Sequence, residues 1–135
     1  IPVRIALGMR DLENGTVEVA RRDTKEKETL QTTDLAVKIT HLLEQIQQNI
    51  YQKALDFRNT MTHKADSWEE FIQLLDEKGG FIAAHWDGDS ETEQQIKEKT
   101  KATIRCIPLN NQEEAGKCIL SGKPSKQRVL FARAY

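Results

Sequence analysis

S-W-E-E-F-I-Q-L-L-D-E-K-G-G-F-I-A-A-H-W, residues 67–86, decides the fold class. Ser67 followed three residues later by Glu70 is a capping box, in which hydroxyl and carboxylate satisfy amides that the first helical turn leaves unpaired. Trp68, Phe71, Ile72, Leu74 and Leu75 recur at steps of three and four and make one apolar face. Gly79-Gly80 stops the helix, as glycine does where a left-handed residue is needed. The run F-I-A-A-H-W is continuously apolar, as in a strand covered on both sides.

Downstream, beyond the acidic D-G-D turn, Ser90 with Glu93 reads as a second capping box that opens a short polar helix to about Thr100. I-R-C-I-P-L, K-C-I-L and R-V-L-F-A-R-A supply three short strands, with G-K-P-S-K as the turn between the last two. Upstream, Leu35, Ile39, Leu42, Leu43, Ile46, Ile50, Ala54 and Phe57 fall at helical spacing, with no Pro or Gly from Asp34 to Thr62. A helix of about 25 residues is about 37 Å long, more than a small domain needs. Residues 26–33 are polar with little periodicity and read as a connector. Residues 3–7 and 16–22 are β-type runs joined by M-R-D-L-E-N-G, whose Asn14-Gly15 is a turn signal, so residues 1–25 read as a β-hairpin that needs more sheet to be stable. The expected class is α+β: a two-layer domain over 34–135 with a small mixed sheet covered by helices, preceded by a long helix and the hairpin.

Of the 135 residues, 38% are hydrophobic, 30% charged and 6% aromatic, which fits a well-solvated globular protein. No run approaches the roughly 18 apolar residues that span a bilayer, the first residues show no charged segment followed by an apolar run, and the expected location is the cytoplasm. The chain starts at Ile1 in what reads as a strand in progress, so we expect an excerpt of a longer protein. Cys106 and Cys118 are too few for a disulfide framework and read as reduced thiols. The net charge of -1 conceals segregation. Ala115 to Tyr135 holds Lys117, Lys123, Lys126, Arg128 and Arg133 with no acid, whereas Asp87 to Glu93 holds four acids and no base. The basic end suits phosphates or an acidic surface, or simply a solvated hairpin.

Candidate chemistry is sparse. His85, Asp87, Cys106 and Cys118 are acceptable zinc ligands, and period two would put His85 and Asp87 on one strand face. Their spacing matches no closed site, and core or surface roles are the commoner outcome for such residues. A Cys/His nucleophile pair lacks an oxyanion turn. No Gly-rich phosphate loop occurs, since G-K-P-S lacks both an upstream glycine and a following helix. His41 and His63 read as exposed. Arg10 and the pair Arg21-Arg22 can contact guanine or phosphate, or act as edge charges that discourage aggregation.

Taken together, G-M-R-D-L-E-N-G-T-V-E-V-A-R-R-D-T, A-T-I-R-C-I-P-L and G-K-C-I-L-S-G-K-P followed by R-V-L-F-A-R-A-Y resemble the C-terminal end of prolyl-tRNA synthetases of the archaeal/eukaryotic-like architecture. The resemblance covers almost the whole chain with its landmarks in order. It implies the end of an anticodon-binding domain over residues 1–25 and the extra C-terminal domain from residue 34. It also implies a class II parent enzyme that joins proline to tRNA(Pro) with ATP and Mg²⁺, usually as a homodimer, none of whose catalytic motifs lies here. Arg10, Arg21 and Arg22 carry over as weak tRNA contacts, and Tyr135 as the terminal residue that approaches the catalytic domain.

Many members of that family hold zinc with four cysteines, in W-C-G-x-x-x-C-E and K-C-x-x-C-G-K. Here the pairs fall on Asp87 and Thr92 in W-D-G-D-S-E-T-E, and on Cys118 and Ser121 in K-C-I-L-S-G-K. Hydroxyls are poor zinc ligands at neutral pH, so the resemblance implies a degenerate site without zinc, its four positions bonded to one another, with Cys106 in the core. A free-standing RNA- or protein-binding module using the basic C-terminal hairpin is the alternative, and a small metal-dependent hydrolase centred on His85 and Asp87 ranks third.

Overall fold

The computed structural model describes residues 1–134, and the chain divides into two units, Ile1–Asp56 and a second from Phe57 onward. In the first, β1 (Val3–Ala6), β2 (Thr16–Arg21) and β3 (Lys27–Gln31) form an antiparallel sheet in that order. Alternation along β2 buries Val17 and Val19. With Val3 and Leu30 they pack on Leu35, Ile39, Leu42 and Ile46 of α2 (Leu35–Thr60), so a period of two meets a period near four across one small core.

Sequence expectations change here. M-R-D-L-E-N is a helix, α1 (Met9–Asn14), because Asp11 Oδ2 accepts from the Gly8 amide at 2.8 Å and Gly15, with φ of 64°, closes the other end left-handed. Asn14-Gly15 is thus a helix stop and not a two-residue turn. Residues 26–33 are no connector: Lys27–Gln31 pair with β2, Leu30 opposite Val17. Only Leu30 of that strand is drawn toward the core, which leaves its composition polar. Residues 34–56, expected in the C-terminal domain, pack in the first unit because Leu42 and Ile46 bury themselves against β2.

The second unit contains β4 (Thr62–Lys64), α3 (Trp68–Glu77), β5 (Phe81–His85), α4 (Ser90–Thr100), β6 (Ala102–Cys106), β7 (Gly116–Lys117), β8 (Pro124–Ser125) and β9 (Arg128–Arg133). Its main sheet has the order β4-β5-β9-β6 and is mixed, with β4 parallel to β5 and the other pairs antiparallel. Ile82, Ala84, Val129 and Phe131 meet Phe71, Leu75 and Ile96 in one core, where the Phe71 and Phe131 rings stand edge to face at 5.2 Å. The class is α+β, as expected.

Local details refine the reading. Ser67 Oγ accepts from the Glu70 amide at 3.1 Å, but Glu70 reaches back to the amide of Asp66. The second helix is capped by Asp89, whose Oδ1 accepts from the Glu91 amide at 3.0 Å, and Ser90 is its first residue. Within G-K-C-I-L-S-G-K-P only Gly116–Lys117 and the final Pro124 are strand, and Pro124–Ser125, which pairs with Gly116–Lys117, lies in the stretch expected to turn. Cys106 is exposed and not a core residue, because the pairing with β9 slips register between Ile104 and Cys106. His63 is not exposed: it lies in β4 with a buried Nε2 that has no partner among the described residues.

Gly79 and Gly80 separate two costs. Both have positive φ, 65° and 75°. A Cβ on Gly79 meets open space, whereas one on Gly80 runs into the Met61 carbonyl. Gly79→Ala is expected to cost about 1 kcal/mol from backbone strain alone, and Gly80→Ala clearly more, about 2–4 kcal/mol. Urea midpoints of the two variants measure the difference; equal shifts refute the close approach.

Candidate functional site

Asp87, two residues past His85 at the end of β5, is the centre of a loop cluster. Its Oδ2 accepts from Thr92 Oγ1 at 3.1 Å and from Ser121 Oγ at 2.5 Å, and its Oδ1 accepts from the Asp89 amide at 3.1 Å. Thr92 is buried in α4, one turn past the Asp89 cap, and Ser121 sits in the Cys118–Gly122 turn, where the Gly122 amide donates to the Cys118 carbonyl at 2.9 Å. Cys118 is buried and its amide donates to Lys123 O. Lys123 in turn pairs with Asp89 at 3.2 Å. Three of the four positions in the two quoted patterns therefore bond directly. The fourth, Cys118, shares the turn of Ser121.

This donor set does not fit a structural zinc. It offers one thiol, one carboxylate and two hydroxyls, and both hydroxyls spend their hydrogens on Asp87. The other metal set fares no better. His85 Nδ1 lies 3.1 Å from Ser125 Oγ, which donates its own hydrogen to the Gln127 carbonyl, so the imidazole donates from Nδ1. Its Nε2 faces Glu114 at 3.8 Å. Asp87 lies beyond the strand, off the face expected for it, and Cys106 is exposed. No three His, Cys, Asp or Glu side chains gather in a metal-holding group among the described residues.

The arginines separate into different roles. Arg10 is an exposed residue of α1, beside the start of β2, whereas Arg22 follows the end of β2. A six-residue strand, about 20 Å at the usual rise, lies between them. Arg21 points to the helix-facing side of the sheet. Its Nε and Nη2 donate to Asp23 at 3.1 and 2.8 Å, and Asp23 also accepts from Asn49 of α2 at 2.6 Å. The Asp23 side chain is only 1% exposed. The Arg21 hydrogen bonds hold its carboxyl far below the usual carboxylate range against the opposing effect of burial, and Asn49 adds to them. Neither Asp23 nor Asn49 was singled out in the sequence; the Arg-x-Asp spacing, which puts both ends on one strand face, was the available signal. Tyr135 lies outside the described residues.

The basic C-terminal segment is largely neutralised. Lys123 pairs with Asp89, Arg128 with Asp66 and Glu114, and Arg133 with Asp76.

Comparison with known proteins places both units. A family model for the C-terminal region of prolyl-tRNA synthetase matches residues 68–135, and one for the anticodon binding domain matches residues 1–42. The chain belongs to the prolyl-tRNA synthetase family. It is 60% identical to a proline–tRNA ligase of Cytophaga hutchinsonii over all 135 residues, which span 28% of that relative. It is likewise 60% identical to the proline–tRNA ligase of Porphyromonas gingivalis strain W83 and 56% identical to that of Flavobacterium johnsoniae, spanning 27% of each. The chain thus covers little more than a quarter of the length of these relatives.

Burial acts to raise the Asp87 carboxyl, but the hydrogen bonds from Ser121, Asp89 and Thr92 and the nearby Lys123 charge outweigh it and leave the group below the usual carboxylate range. A folded pKa below the unfolded one gives stability that is present above the unfolded value and lost as pH falls through the folded one. Asp87→Asn is therefore expected to lower stability at pH 7 by about 1–3 kcal/mol and by less as the pH falls into the carboxylate range. Urea unfolding across that range measures both; a constant gap between variant and parent would refute an ionised hub.

Proposed function

We propose that this chain is the C-terminal part of a proline–tRNA ligase and serves its tRNA side, with the catalytic centre in the remainder of the enzyme. The observation that carries this reading is the paired match, anticodon binding domain at one end and the synthetase C-terminal region at the other, within relatives nearly four times as long. The parent enzyme would join proline to tRNA(Pro) using ATP and Mg²⁺, as a cytoplasmic homodimer. The first unit would belong to the anticodon-binding domain, with Arg10 and Arg22 as tRNA contacts, and the second would brace the enzyme without zinc. At the positions where the resemblance places a metal, the Asp87 hydrogen bonds would join α4 to the Cys118–Gly122 turn.

The alternative, a free-standing module that binds through the basic C-terminal hairpin, has less support. Lys123, Arg128 and Arg133 already have carboxylate partners, which leaves Lys117 and Lys126 to make the contact.

Two measurements on the full-length enzyme test the proposal. Arg10→Glu and Arg22→Glu are each expected to raise the KM for tRNA(Pro) about 5- to 20-fold, by loss of a charged contact and repulsion from phosphate. An unchanged KM in both removes these arginines from the interface. Elemental analysis of the purified protein is expected to find no stoichiometric zinc, and one tightly held zinc per chain would sink the hydrogen-bonded replacement.

A further inference from the structure

The turn from Arg22 to Glu26 has two faces. Inside, Asp23 is held by the fork of Arg21 and the amide of Asn49, while its backbone carbonyl accepts from Lys53 at 3.4 Å. Both helix residues belong to α2, so the turn is tied to the helix at two places one turn apart. Its backbone is fixed as well: the Arg21 amide donates to Glu26 O at 2.9 Å and the Arg22 amide to Pro2 O at 3.0 Å. Lys25 is held at φ of 63°, a left-handed conformation that a lysine adopts only when its surroundings impose it.

Outside, Arg22 and Lys25 are exposed and neither has a carboxylate partner among the described residues. The acid between them, the natural partner of either, is turned inward and saturated. Without Arg21 and Asn49 that carboxylate would be free to swing out and neutralise one of the two cations.

We infer that Asp23 is a positioning residue that presents Arg22 and Lys25 as a preset pair of phosphate contacts for RNA, a role that rests on the tRNA-side reading above. Lys25 joins the interface through its place on the turn, and Arg21 serves it indirectly by holding Asp23. Two long side chains on a fixed turn lose less freedom on meeting the RNA backbone than the same pair on a loose loop.

The test uses the full-length enzyme and a tRNA(Pro) transcript, with the Kd measured between about 50 and 200 mM KCl and the thermal midpoint of each variant as the check of folding. Each lost phosphate contact flattens the salt dependence by about one ion, so the ratio of Kd across that range falls about threefold per contact. Arg22→Gln and Lys25→Gln lie on the surface and leave folding intact; each is expected to flatten the slope by one such step. Asp23→Ala is expected to flatten it as well, and the triple variant to bind no more weakly than Arg22→Gln/Lys25→Gln, because Asp23 acts only through those two residues. Wild-type slopes in Arg22→Gln and Lys25→Gln, or a wild-type slope in Asp23→Ala beside reduced slopes in the other two, overturn the inference. If Arg10→Glu still weakens binding while the turn variants do not, the turn is wrong and the tRNA-side reading stands. If none of them weakens it, both fall.

Discussion

The guanidinium of Arg128 is the point on which the second unit closes. Its side chain is 11% exposed, and Nη1 donates to the carbonyls of Ala65 and Ala83 at 2.9 and 3.3 Å, while Nε and Nη2 each meet the Glu114 carboxylate at 3.0 Å and Nη2 also bonds Asp66. Ala65 follows the short parallel strand β4, Asp66 precedes the helix α3, and Glu114 ends the long loop between β6 and β7. One planar fork thus ties the paired strands β4 and β5 to the residue before α3 and to the loop at Glu114. At the opposite end of the same strand, Arg133 donates to Thr100 O at 2.7 Å and Leu75 O at 3.3 Å. Those carbonyls belong to the last turns of α4 and α3, where a positive charge also meets the negative end of each helix dipole. Between the two arginines, Val129 and Phe131 supply the apolar contact. Losing Arg128 would strand the Ala65 carbonyl, while the Ala83 carbonyl keeps the Ala65 amide and the exposed carboxylates of Asp66 and Glu114 turn to water.

Both units are small, and small units bury a limited share of apolar surface. Charged hydrogen-bond hubs sit where each of them would otherwise gape. Asp23 joins the β2–β3 turn to α2, Asp87 joins α4 to the turn at Ser121, and Arg128 joins loop to sheet. Each hub places its ion among several partners at once, which separates these sites from ordinary exposed ion pairs such as Arg4 with Glu18 at 3.6 Å.

What the sequence could and could not disclose follows from the range of each interaction. Helices α2 and α3 and strand β5 were legible because their signals are local: spacing, a cap, a glycine stop. Strand β3 was not, since Lys27 to Gln31 earns its place by pairing with β2, and four of its five residues are exposed. Helix α1 hid behind Asn14-Gly15, whose preference for a left-handed residue serves a helix end as well as a hairpin. The loop cluster was legible only by resemblance, because residues 87, 92 and 121 acquire meaning from their approach in space. Arg21 is the opposite case. Its type suggested a ligand, while its position in the alternation of β2 turned it toward Asp23.

A net charge of -1 therefore says little about which charges are available. The basic end of the sequence is mostly spent inside the fold, and the cations left free at the β2–β3 turn sit in a stretch of mixed charge. The Asp87 cluster makes a related point about how a loop can be tied. A thiolate–metal site needs deprotonated cysteines and an ion, and it yields to chelators and to acid. A carboxylate that accepts from two hydroxyls and an amide needs neither. Its geometry is directional, it leaves Cys118 a free thiol, and protonation of Asp87 weakens it. Chelation and acid therefore act alike on the metal arrangement and differently on this one.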